Sequence, residues 1–258
     1  LGESLDFDFS EVEALGQVHK DYSYLQKHVD AVLALEYVDK EAIKAANFKV
    51  ALDAVNSTGG TFIPALLDAL GVQTIYKIHC EPNGQFPHNP EPLKENLTDL
   101  SAAVIENKAD LGIAVDPDVD RLVFMMEDGE LFGEEYTLVA VADYLLQHKK
   151  GNTVSNLSST RALRDVTKAH GGEYYAAAVG EVNVVTKMKE VDAVIGGEGN
   201  GGVIYPASHY GRDALVGVAI FLTHLAKLGK KASEYRASLP QYFMSKNKIT
   251  LTPELDID

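Results

Sequence analysis

The run Leu111-Gly112-Ile113-Ala114-Val115-Asp116-Pro117-Asp118-Val119-Asp120-Arg121-Leu122-Val123-Phe124-Met125-Met126 sets three carboxylates at alternate positions between two short apolar segments. Apolar segments of that length, bounded by a turn signal, predict buried strands. Upstream, residues 49–55 read as a strand, 56–60 as a turn, 61–70 as a helix ended by Gly71, and 73–78 as a second strand. A polar, proline-studded stretch over 81–92 then leads to a helix near 100–107. Downstream, a helix over 136–147 precedes a second round: strand 153–157, helix 160–170, strand 173–177, helix 182–190, strand 193–195, a glycine-rich loop, strand 203–205 and helix 213–228. Two β-α-β-α-β-loop-β-α units follow one another, with a boundary near Gly151. The predicted fold class is α/β: two consecutive similar α/β domains with mixed, mostly parallel sheets covered by helices. In such sheets ligands sit beyond the carboxyl ends of the strands, where both special loops fall. Ahead of the first unit, apolar positions at Tyr24, Leu25, His28, Val32, Leu35 and Val38 predict one helix over 22–46 that bridges two domains.

Composition bounds the partners. The 258 residues carry a formal net charge of -15, which argues against nucleic acid or an anionic membrane surface, since both need a basic face. One cysteine, Cys80, permits no internal disulfide and no cysteine-based zinc site, in keeping with a reducing cytoplasm. It reads as a small buried hydrophobe. The thirteen-residue apolar run 214–226 is short of the roughly 20 residues a membrane span needs and predicts a buried helix. The chain opens on Leu1 rather than methionine, and residues near Asp258 read as a strand that is cut off, so the expectation is a piece of a longer polypeptide.

Asp116, Asp118 and Asp120 repel one another unless a cation sits among them, because neighbouring carboxylates raise each other's pKa. Oxygen ligands favour Mg²⁺, Mn²⁺ or Ca²⁺ over zinc, and a one-sided set leaves positions for water or a phosphate oxygen, which suits Mg²⁺. Arg121, next in sequence, has the planar fork to grip a phosphate. A calcium EF-hand loop would share the carboxylates at positions one, three and five and Glu127 at twelve. It needs glycine at six, where Arg121 stands, and helical flanks, where strands are predicted.

The loop Gly197-Glu198-Gly199-Asn200-Gly201-Gly202 surrounds two functional side chains with glycines. Its backbone can approach a ligand closely while Glu198 and Asn200 meet sugar hydroxyls; the same glycines equally suit a plain hairpin. Asn56-Ser57-Thr58-Gly59-Gly60 reads as the cap of the next helix in preference to a phosphate site. Ala207-Ser208-His209 lacks the third group of an activated serine. His88 and Arg212-Asp213 read as turn and cap residues.

Together these segments resemble the α-D-phosphohexomutase family (phosphoglucosamine mutase, phosphomannomutase, phosphoglucomutase). Residues 116–121 are similar to its metal loop, usually D-G-D-x-D-R, and 197–202 to its sugar loop, usually G-E-x-S-G-H. Val179-Gly180-Glu181, residues 50–56 and residues 81–87 are also similar to family segments. Pro117, Asn200 and Gly202 depart from the pattern. The resemblance implies a phosphotransferase that interconverts hexose or hexosamine 1- and 6-phosphates through an enzyme phosphoserine and a bisphosphate intermediate. It implies Mg²⁺ held by Asp116, Asp118 and Asp120, catalytic assistance from Arg121, and sugar hydroxyls on Glu198 and Asn200. It also implies a division into the tail of an upstream domain (1–20), a metal-binding domain (21–150, family domain 2), a sugar-binding domain (151–250, family domain 3) and the start of a linker (251–258). The family's T-x-S-H-N phosphoserine motif occurs nowhere in the chain, so the catalytic serine and the phosphate-gripping C-terminal domain are expected outside it, and the chain alone is expected to be inactive. A non-catalytic module for a divalent cation or sugar phosphate, and a metal-dependent phosphatase with one Asp as nucleophile, are the competing readings.

Overall fold

The computed structural model describes residues 9–244; the expectations on 1–8 and on the linker at 251–258 lie outside the described residues. In the first sheet, β1 (Lys49–Asp53) lies parallel to β2 (Thr74–Ile78) and to β3 (Leu111–Val115), and β3 pairs antiparallel with β4 (Leu122–Met126), giving the order β2-β1-β3-β4. The second sheet repeats this order with β5 (Asn152–Asn156), β6 (Tyr174–Ala177), β7 (Ala193–Glu198) and β8 (Gly202–Ile204): β6-β5-β7-β8, parallel but for the last pair. Every residue of β3 and β4 is buried, as continuous apolar strands covered on both faces must be.

Helices cover both faces of each sheet. One face of the first lies under α4 (Thr98–Glu106), where Leu100 and Val104 meet Ala51, Ala114 and Val123. The matching face of the second lies under α7 (Glu181–Glu190), where Val184 and Met188 meet Val154 and Ile204. The other faces share one large core with α1 (Tyr24–Leu33), α2 (Lys40–Ala46), α3 (Gly59–Leu70), α5 (Glu134–His148), α6 (Ala162–Ala169), α8 (Ala214–Leu228) and α9 (Ala232–Ser238). Helices α5 and α8 close the seam: α5 packs on β4 as well as on β7, β8 and α6, and α8 packs on α1, α2, α3 and β4 as well as on β8. At its centre Phe124 of β4 stacks on Phe221 of α8 with ring centroids 3.9 Å apart, and Phe132 stands edge-on to both. This aromatic burial ties the two sheets into one body.

The single helix expected over 22–46 is two. Residues 34–39 break it, because Asp39 leaves helical geometry to accept the Ala42 N–H at 3.0 Å as the cap of α2. Strand β7 also runs three residues further than expected and takes in Gly196, Gly197 and Glu198, so the turn between β7 and β8 is 199–201 alone. Helix α8 is buried from Ala214 to Leu225, and no helix among the described residues is long and apolar enough to cross a membrane. Cys80 is partly buried; burial pushes its thiol up to about 11, so it is no ready nucleophile.

Candidate functional site

The Asp loop leaves the carboxyl end of β3 and returns into β4 within six residues. Asp116 holds the turn, its Oδ1 accepting the backbone N–H groups of Asp120 (3.1 Å) and Arg121 (3.0 Å). Val119 takes the left-handed conformation, φ 62°, which costs a β-branched residue of order 1–2 kcal/mol. Its burial against Gly59 of α3 holds it there. The Ser57 and Thr58 hydroxyls donate to Pro117 O at 2.9 and 2.6 Å. Thr58 therefore makes no side-chain cap on α3, which corrects the reading of 56–60 as a capping segment: a carbonyl on the neighbouring loop outcompetes the helix. Glu127 accepts from Ser233 N and Oγ instead of turning back to the loop, as the rejected EF-hand would require.

One potential ligand atom from each of Asp116, Asp118 and Asp120 lies within 4.8 Å of the other two. Burial pushes Asp116 up to about 7, and its neighbours Asp120 and Asp118 push the same way against the Arg121 N–H. Burial also raises Asp120, against the pull of Arg212. Asp120 Oδ1 is buried with no hydrogen-bond partner among the described residues. An all-oxygen cluster that resists its own ionisation and keeps a bare, inward oxygen fits a hard divalent cation.

The glycine loop meets the Asp loop across the seam. Leu122 N–H donates to Gly201 O at 3.1 Å, and Ala214 N–H to Val119 O at 3.1 Å. Gly201 has φ +91°, and a Cβ there would lie 2.4 Å from Leu122 O; at Gly199 one would lie 2.3 Å from the Glu135 carboxylate. Part of the glycine content thus serves protein packing, where the sequence suited ligand approach and a plain hairpin equally. Glu198 is buried at the end of β7. Asn156 Nδ2 donates to its Oε1 at 2.8 Å, and Arg212 Nη1 to its Oε2 at 3.0 Å. Asn200 Oδ1 accepts from Gly202 N at 3.2 Å.

Arg212, which the sequence suggested was a turn residue, joins the two loops. Its guanidinium donates to Asp120 Oδ2, to Glu181 Oε2 (3.0 Å) and to Glu198 Oε2 (3.0 Å). No local pattern reveals this, because the partners lie on three other segments. Arg121 leans over its own loop, with Nε 3.5 Å from Asp116 Oδ2, and it lines a 230 Å³ cleft with Asn200, Glu91 and Glu134. Asp118 and Arg212 line a second cleft of 430 Å³ with His28, Thr58 and His209.

Asp213 next door does cap α8, accepting from Leu215 N and Val216 N, while His28 and His209 Nε2 share its other oxygen at 2.9 Å each. Burial pushes the Asp213 carboxyl up, but hydrogen bonds from His209 and His28 outweigh it and hold it below the ordinary value of 3.8. The bond to Asp213 raises His28 above 6.5. The His28 contribution to stability is therefore complete below the unfolded value and lost as pH rises through the higher folded one, whereas that of Asp213 is present above 3.8 and lost in acid. Between pH 6 and about 8 the thermal midpoint of the chain should fall more steeply than that of His28→Gln; parallel slopes in calorimetry would show that the pair carries no linked proton.

Comparison with known proteins gives a consistent picture. Residues 26–129 match the family described as phosphoglucomutase/phosphomannomutase, alpha/beta/alpha domain II, and residues 133–243 match domain III. The phosphoglucomutase/phosphomannomutase of Thermococcus kodakarensis is 35% identical over 247 residues, 95% of this chain and 53% of that protein. The phosphoglucosamine/phosphogalactosamine mutase of Sulfurisphaera tokodaii is 29% identical over 246 residues, 94% and 53% of the two chains. A crystal structure of a phosphoglucomutase/phosphomannomutase family protein from Burkholderia thailandensis superposes with a TM-score of 0.75 at 28% identity, covering 84% of this chain and 46% of that one. The chain thus spans about half the length of the curated relatives it matches.

Proposed function

Since this chain belongs to the α-D-phosphohexomutase family, we propose that it forms the metal- and sugar-binding centre of an enzyme that interconverts hexose or hexosamine 1- and 6-phosphates. The observation that carries this reading is the meeting of the two loops: Leu122 is bonded to Gly201, and Arg212 is clamped between Asp120 and Glu198. A phosphoryl group placed over Asp118 then lies beside the groups suited to hold sugar hydroxyls.

In this reading Asp116, Asp118 and Asp120 hold Mg²⁺, which when bound supplies positive charge to the phosphoryl group in transfer. Arg121 offers a guanidinium to the same group from the cleft it shares with Asn200. Glu198 and Asn200 accept and donate to adjacent ring hydroxyls, with Asn156 and Arg212 fixing the Glu198 carboxylate. The phosphoryl donor is a phosphoserine from outside these residues, and a further domain grips the second phosphate. We assign residues 21–150 to the metal-binding part and 151–250 to the sugar-binding part, and take the cytoplasm as the compartment.

The test is ³¹P NMR of the whole polypeptide with Mg²⁺, a hexose 1-phosphate and a trace of the 1,6-bisphosphate. Appearance of the 6-phosphate is expected. Release of inorganic phosphate alone would favour a phosphatase.

A further inference from the structure

A second cluster, made of residues other than those of the two loops, stands at the carboxyl ends of β1 and β2. Asp53 is the last residue of β1, His79 follows β2 in a left-handed conformation (φ 49°), and His88 lies in the proline-studded stretch. One potential ligand atom from each lies within 4.8 Å of the other two.

The hydrogen bonds around the cluster decide which atoms carry protons. His88 Nδ1 lies 2.8 Å from Asn89 O; a carbonyl only accepts, so Nδ1 bears the hydrogen and a neutral ring keeps a bare lone pair on Nε2. That Nε2 lies 3.1 Å from Asp53 Oδ2, so two acceptors face each other unless a cation or an extra proton lies between them. Asp53 Oδ1 is committed to Val55 N–H at 3.0 Å, and the residue is 1% exposed. His79 Nε2 meets the Asp99 carboxylate at 3.0 Å, which places its hydrogen there and frees Nδ1. Each candidate ligand thus has its other polar atom fixed by an outer partner, and the His79–Asp99 pair has the carboxylate–imidazole form that orients histidines on metals. Ligand atoms on one ion with bonds of ~2.0–2.2 Å stand roughly 3–3.5 Å apart, so the Asp53–His88 spacing already suits neighbouring ligands of a single ion.

The His28, His209 and Asp213 cluster has the same residue types and the same 4.8 Å closeness, but its protons run the other way. His209 Nδ1 accepts Gly211 N–H at 2.9 Å, so its Nε2 carries the hydrogen and donates it to Asp213. The His209–Asp213 contact is thus satisfied by a hydrogen bond alone.

We propose that Asp53, His79 and His88 form a second metal site, of the two-imidazole, one-carboxylate type that takes a borderline divalent cation such as Zn²⁺. It would pin the 79–92 stretch to the end of the first sheet through ligands distinct from the three aspartates.

The probe is Co²⁺, which reports nitrogen ligation in its visible spectrum, titrated into the chelator-stripped full chain with excess Mg²⁺ present to fill the Asp loop. One equivalent should bind, with visible bands displaced by Zn²⁺. His79→Gln and His88→Gln should each weaken binding by a factor of at least about 10. Asp99→Asn alters only a solvent-exposed carboxylate, so it tests the outer partner without threatening the fold, and it should weaken binding by roughly 10-fold. Absence of stoichiometric uptake by the unaltered chain would overturn the site and leave the cluster as a hydrogen-bonded proton pair. So would a Co²⁺ spectrum that survives Asp99→Asn and His79→Gln unchanged.

Discussion

Replacing Arg212 by methionine will lower the unfolding free energy of the chain by about 3 kcal/mol. The guanidinium is the common partner of Asp120, Glu181 and Glu198, and its side chain is only 14% exposed. Methionine keeps much of the stem that lies against Gly202 and removes the charge, so three acidic groups are left facing one another in a site mostly closed to water. Breaking the shared cation out of such a cluster costs more than any single ion pair contributes, because Asp120 and Glu198 stay largely buried and lose the positive charge between them. Arg212→Lys should fall between, since an ammonium keeps the charge but cannot present three directed donors in the guanidinium plane. Mg²⁺ should restore part of the loss in Arg212→Met by neutralising Asp120, and should add less to the unaltered chain. Urea unfolding followed by circular dichroism measures all three. A loss below about 1 kcal/mol would place the cluster in the regime of solvent-screened surface pairs and remove Arg212 as the tie between the loops.

What could be read from the chain and what could not follows from the range of the interactions. The bounds of β3 and β4 are those read from sequence, because each is a five-residue apolar run stopped at one end by an aspartate or an arginine of the loop. The repeated strand and helix order likewise implied two similar sheets, and the same strand order appears in both. The 22–46 helix was misread because apolar spacing continues through Leu35 and Val38 while Asp39 begins a new helix, and periodicity does not register a cap. Helix α9 was missed: Ala232-Ser233-Glu234-Tyr235-Arg236-Ala237-Ser238 buries only Ala232 and Tyr235, too few positions to show a period. In the site, the three aspartates were legible because they are adjacent in sequence and their repulsion demands an explanation. Arg212 was not, since it meets Asp120 across 92 residues. Nor was the pairing of His88 with Asp53, 35 residues away. Local pattern carries local chemistry; these contacts arise from the packing of the two sheets and their loops.

Asp118→Asn will reduce turnover of the whole enzyme by on the order of 10³-fold or more while leaving the thermal midpoint unchanged. The choice among the three aspartates is what makes the experiment clean. Asp116 is buried and anchors two backbone N–H groups, so its amide would disturb the turn as well as the charge. Asp120 is bound to Arg212, so its amide would loosen the seam. Asp118 is exposed at the tip of the loop and accepts no hydrogen bond among the described residues, yet it offers an oxygen within 4.8 Å of the other two. An amide there keeps the shape and removes one of the three negative charges facing the cation. Weaker Mg²⁺ binding, read by isothermal titration, should accompany the loss of turnover, and added Mg²⁺ should recover part of it. If turnover instead stays within about tenfold of the unaltered enzyme, the cation is held by other groups and the Asp loop serves only to shape the backbone. If the thermal midpoint drops with activity, the three carboxylates act through the fold, and the reading of the loop as a preorganised phosphoryl site fails with it.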